Sequence, residues 1–183
     1  MKNKSNVWYG LAMLLAVVMY VPVQARQKNS ARYADFSGEW RARESISMGG
    51  NIVCCFDSGD RMLAGTMRIA AQANGLTVAV SSGFPGTVPV AGLEKMSFDG
   101  SVSEIDHGHG RGKKFTVRWS ADGQKLTVNS TVRLMIDQKQ TTVYVTEVWT
   151  LSPNGKSITV QANARSGLYS KDRSWKTVFE KVG

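Results

Sequence analysis

From Gly65 to Lys181 the chain alternates apolar and polar positions with a period of two, in short runs broken by glycine-marked turns. Thr141 to Leu151 carries the pattern most plainly. Val143, Val145, Glu147, Trp149 and Leu151 fall on one face, and Thr142, Tyr144, Thr146, Val148 and Thr150 on the other. A two-residue period over β-branched and aromatic residues predicts half-buried strands. Ten are expected, over 36–47, 65–72, 76–81, 94–98, 101–105, 113–120, 125–136, 141–151, 157–165 and 173–181. One phrase recurs three times as a turn feeding a strand: Asn74-Gly75 before Leu76, Asp122-Gly123 before Leu126, and Asn154-Gly155 before Ile158. Asn-Gly and Asp-Gly tolerate the positive φ angles of tight hairpins, so each copy predicts an antiparallel pair.

No segment carries a long helical period. The stretch 49–64 has room for a short helix or lid, and 82–92, with Gly83, Pro85, Gly86 and Pro89, argues against regular structure. Both are expected as mouth loops. The fold class that follows is all-β, an antiparallel up-and-down meander closed into an 8–10-stranded barrel, since closure removes edges that invite aggregation. A barrel spanning an outer membrane needs an outward apolar band with aromatic girdles. The Thr, Asn, Gln, Lys and Arg on one strand face oppose that reading.

The first residues carry Lys2 and Lys4, an apolar run from Leu11 to Val23, and the small-residue ending Val23-Gln24-Ala25. That is the pattern of a secretion signal cleaved near Ala25, and the run is short for a spanning helix. The expected organisation is a signal peptide over 1–25, a flexible basic arm over 26–34 and the barrel over 35–183. The chain is then exported, to a periplasm or the extracellular space, and does not span the membrane. The whole chain has a formal charge of +9. After cleavage 21 basic residues face 14 acidic ones, a charge of +7 that favours anionic surfaces.

Cys54 and Cys55 are the two cysteines and are adjacent. Neighbouring Cα atoms lie about 3.8 Å apart, short of the usual disulfide span, so the pair forms either a strained ring or two small buried hydrophobes.

The first strand opens with Phe36-Ser37-Gly38-Glu39-Trp40 and the last ends with Val178-Phe179-Glu180-Lys181. Together they resemble the calycins, the lipocalins and fatty-acid-binding proteins. The phrases Trp149-Thr150-Leu151-Ser152-Pro153-Asn154-Gly155-Lys156 and Trp119-Ser120-Ala121-Asp122-Gly123 are similar to those of exported bacterial lipocalin-like proteins. The resemblance implies a barrel with Trp40 plugging its closed end and a cavity for an apolar or amphipathic small molecule.

Within that cavity Glu147 is the candidate polar anchor, because it sits among apolar neighbours and an isolated buried carboxylate is costly. Arg118 and Arg133, on the two preceding strands, are its expected partners. Trp149 and Val145 share its face, and Tyr144 completes the candidate ligand set. The loop Asp106-His107-Gly108-His109-Gly110-Arg111-Gly112-Lys113-Lys114 holds both histidines; it reads as a solvated hairpin, with a metal site or a phosphate cradle as the sharper alternatives. No serine, histidine and acid form a recognisable hydrolytic motif, and no pair of carboxylates nominates itself. The expectation is a monomeric binding protein without enzymatic activity, cofactor, metal or specific nucleic-acid partner. A protein-interaction module is the alternative, such as an exported hydrolase inhibitor acting through Cys54-Cys55 and Phe84-Pro85.

Overall fold

The computed structural model describes residues 33–44, 60–83, 86–168 and 171–183. The signal-peptide expectation, most of the arm, Cys54, Cys55, Phe84 and Pro85 lie outside the described residues. Ten antiparallel strands follow in chain order: β1 (Gly38–Ala42), β2 (Ala64–Gln72), β3 (Gly75–Ser82), β4 (Val90–Ser97), β5 (Ser103–Gly108), β6 (Arg111–Trp119), β7 (Lys125–Ile136), β8 (Lys139–Leu151), β9 (Ser157–Arg165) and β10 (Arg173–Lys181). Apart from β4 and β5, each pairs with its sequence neighbours, and β1 closes on β10, giving the order β4-β3-β2-β1-β10-β9-β8-β7-β6-β5. This is the expected up-and-down barrel, open along one seam. At that seam β4 and β5 have no ladder between them; the Ser103 hydroxyl donates to the Lys95 carbonyl at 2.9 Å.

In a meander, alternate connections gather at one end. The links after β1 and β3 therefore leave from the same end as the tight β5–β6 and β7–β8 turns. Among the described residues between β1 and β2 lies a short 3-10 turn, Arg61–Leu63, within the stretch where a short helix was expected.

The turns correct one local reading. Gly123 and Gly155 have φ near +69° and +68°, as their turns require. Gly75 does not; it pairs with Gln72 inside β3. A Cβ there would stand 2.2 Å from the Met96 carbonyl oxygen, so the glycine serves the close approach of β4. Conversely, Asp137 and Gln138 take positive φ in the β7–β8 turn without a glycine. The histidine-bearing loop is a tight hairpin as well, with only His109 and Gly110 between β5 and β6.

Two apolar clusters fill the interior. The larger contains Phe36, Trp40, Met67, Met96, Phe115, Leu126, Trp149 and Phe179. Residues 33–37 lie across its closed end, where Tyr33 stacks on Trp119 with ring centroids 4.8 Å apart and the Ala34 N–H donates to the Gly123 carbonyl at 2.9 Å. The last two residues of the expected arm are thus tied to the barrel. Trp40 is fully buried, and its indole N–H donates to the Phe36 carbonyl at 2.9 Å. The smaller cluster, Val132, Val143, Val145, Ala162, Ala164 and Trp175, lies toward the mouth. The outer face of β6–β9 is largely polar and the inner face largely apolar, with Lys113 and Glu147 as its charged members, the reverse of a membrane-spanning barrel. Among the described residues, no helix is long and apolar enough to cross a membrane.

Candidate functional site

Among the described residues, five ionisable side chains are buried inside the barrel: Asp60, Arg61, Glu94, Lys113 and Glu147. Strand parity brings three of them there. Glu94 shares its face with Met96 on β4, Lys113 with Phe115 and Val117 on β6, and Glu147 with Val145 and Trp149 on β8. The other two come from the 3-10 turn. Asp60 caps it, its Oδ1 accepting the Met62 N–H at 2.8 Å, and this cap aims Arg61 across the interior.

The contacts form one chain of charge. Lys113 Nζ donates to Glu94 Oε1 at 2.7 Å and to Asp60 Oδ1 at 3.2 Å. Arg61 Nε donates to Glu94 Oε2 at 2.9 Å, and its Nη1 donates to Glu147 Oε2. That same Glu147 oxygen accepts the Trp149 indole N–H at 2.9 Å, while the Arg61 guanidinium lies 5.4 Å from the centroid of the Trp149 ring. Glu94 is on β4 and Lys113 on β6, so their pair ties the two sides of the unladdered seam from within.

Burial and charge act against each other here. Burial pushes the Glu94 carboxyl upward, but Arg61 and Lys113 outweigh it and hold the group down at about 2. For Asp60 burial prevails, aided by Glu94 and opposed by Lys113, so its carboxyl titrates above the usual aspartate range. Burial disfavours the Lys113 ammonium, yet Glu94 and Asp60 more than compensate and its pKa is raised; Arg61 is raised in the same way by Glu147 and Glu94.

Two atoms of this network are buried without a hydrogen-bond partner among the described residues: Arg61 Nη2 and Glu147 Oε1. Both residues line one small cavity with Met62, Met67, Trp149 and Trp175. Its free space is about 20 Å3, the room of one water. A donor and an acceptor on the same apolar-walled cavity suit a group that both accepts and donates.

Of the sequence-predicted site residues, Glu147, Trp149 and Val145 point inward together. Arg118, Arg133 and Tyr144 do not join them. Arg118 and Tyr144 are exposed on the outer face, and Arg133 lies there too, 3.5 Å from Glu104. For the arginines the source is register: residues on neighbouring strands share a face only if their register agrees, and Arg118 pairs with Thr127, an outward residue. Tyr144 is set apart from Glu147 by the parity of β8 itself. Glu147's partner is Arg61, from a segment with no periodic signal. Lys113, read as part of a basic loop, is fully buried; its parity with Phe115 and Val117 was the available clue. His107 lies on β5 and His109 in the turn. Among the described residues no group of three metal-ligating side chains comes together.

No protein-family model matches the chain, and no curated protein matches it. Among solved structures, it is similar to the crystal structure of a mutant of the fluorescent protein UnaG, with 17% identity and a TM-score of 0.43, over 81% of this chain and 96% of that one.

Proposed function

We propose that the chain is an exported lipocalin-like binding protein that takes the polar end of an amphipathic small molecule at Arg61 and Glu147. One observation carries the reading: Arg61 and Glu147, whose Nη2 and Oε1 have no hydrogen-bond partner among the described residues, line the same cavity. A carboxylic acid or an amide matches that donor–acceptor pair, and its apolar remainder would lie against Met67, Trp149 and Trp175. The resting space has room for one water, so entry requires Met62 and the turn that carries it to give way. The role is binding, without catalysis, by a monomer.

The fullness of the interior favours a second reading, a protein-interaction module such as an exported hydrolase inhibitor acting through the mouth loops. Such a module needs no void. Native mass spectrometry of residues 26–183, purified from an exporting host without detergent, separates the two. A reproducible added mass that is lost on denaturation, and weakened by Glu147→Gln, is the expected result. A bare protein mass that persists after exposure to a panel of fatty acids and amides would overturn the ligand reading in favour of the module.

A further inference from the structure

The outer face of β6–β9 carries a patch that the interior site does not use. Cross-strand register lines up Thr116, Asn129, Thr146, Asn163 and, on β10, Ser174 in one row. Every member of this row has a hydroxyl or amide that both donates and accepts, and Thr146 already donates to Asn129 at 2.9 Å. The row toward the mouth runs Lys114, Thr131, Tyr144 and Arg165, and the row toward the closed end starts at Arg118 and ends at Lys176. Hydroxyl and amide groups are thus framed by cations at four corners. Lys114 is held by Glu104 at 3.1 Å; Arg118, Arg165 and Lys176 have no ion pair among the described residues. The carboxylate that shares an adjoining recess with Arg165 is Asp172.

Part of the face, over the central row and the row toward the mouth, is concave. A groove of about 500 Å3 runs over Thr116, Asn129, Thr131, Tyr144 and Arg165, far larger than the interior cavity. Tyr144 is 52% exposed and presents a flat ring beside the Arg165 guanidinium, 5.9 Å from its centroid.

We propose that this face binds an anionic polysaccharide, a sugar chain bearing carboxylates. Tyr144 supplies an apolar platform for one sugar ring, the Thr/Asn row exchanges hydrogen bonds with its hydroxyls, and Arg165, Arg118 and Lys176 meet the carboxylates of flanking units. Charge complementarity selects the anionic glycan over a neutral one. A single-stranded nucleic acid would call for several aromatics on which successive bases stack, and Tyr144 is the one aromatic on these three rows.

The test is calorimetric titration of the purified full chain with an oligogalacturonate, a neutral maltodextrin and an oligothymidylate of matched charge. Binding of the oligogalacturonate is expected, with no detectable heat from maltodextrin. Tyr144→Ala and Arg165→Ala, both exposed changes, should each weaken it about tenfold or more. Arg68→Ala, a cation on the outer face of β2, should leave it unchanged. The proposal is overturned by no uronate binding, by maltodextrin or oligothymidylate binding as tightly as the uronate, or by equal losses in Arg68→Ala and Arg165→Ala.

Discussion

Cations inside this barrel and cations outside it differ in nearly every physical respect. Lys113 and Lys114 are chain neighbours on one strand, yet the first is fully buried between two carboxylates and the second is half exposed, beside Glu104. Water and salt screen the outer pair, so it contributes little; pairs of that kind are worth about 0–1 kcal/mol. For the inner pair the comparison is with an unpaired charge in an apolar core, and removing one partner typically costs about 3–5 kcal/mol. The period of two that builds the strand also assigns each lysine its energetics.

The largest expected effect follows from deleting the inner cation. Lys113→Met leaves Asp60 and Glu94 facing each other with Arg61 alone to balance them. It should lower unfolding free energy by about 3–5 kcal/mol in urea titrations. Lys114→Met should change it by less than about 0.5 kcal/mol. Equal losses in the two variants would mean that the inner pair is not holding the seam.

Acid offers the same comparison without mutation. Glu94 titrates at about 2 in the folded chain against an ordinary value of 4.5, so its stabilisation is complete above pH 4.5 and is lost as pH falls through 2. Asp60 has the opposite sign. Its folded pKa is raised, so the native state takes up a proton before the unfolded one and gains stability as pH falls through that raised value. Melting temperature should therefore hold or rise on mild acidification and drop steeply between pH 4.5 and 2. Glu94→Gln should start lower and lose the steep limb. High salt should leave that limb in place, since buried pairs are poorly screened.

Glu147→Gln removes a carboxylate but keeps an oxygen for the Trp149 indole and for Arg61. The loss should be smaller, about 1–3 kcal/mol by the same denaturation assay, because hydrogen bonding survives while charge does not. A loss as large as that of Lys113→Met would move the centre of the network from the seam to β8.

Most of the barrel was legible because strand signals are local. The bounds of β7, β9 and β10 agree with the sequence reading residue for residue, and their turns carry Asp-Gly, Asn-Gly or polar residues. The site was legible only in part. Parity along one strand found Glu147 and Trp149, but naming the partner of Glu147 required knowing which residues across the sheet share its face. Register could have excluded Arg118. Nothing in the apolar periodicity pointed to Arg61, because it lies outside any strand and owes its direction to the Asp60 cap. Gly75 is a further case: the sequence reads as a turn glycine, whereas the residue is required by the approach of a strand that begins fifteen positions later.

Arg118→Ala should have the smallest effect of all on stability. Its side chain is exposed and makes no ion pair among the described residues, so its removal costs only surface packing, within about 0.5 kcal/mol. That near-silence is informative because the sequence places Arg118 and Lys113 on the same strand. If Arg118→Ala were damaging and Lys113→Met mild, the inner and outer faces of β6 would have to be exchanged, and with them the Thr/Asn row and the buried ion network. A stable Arg118→Ala protein fixes the parity of β6 by experiment and leaves Arg118 available to act on the outer surface, where its charge meets solvent and partners rather than the fold.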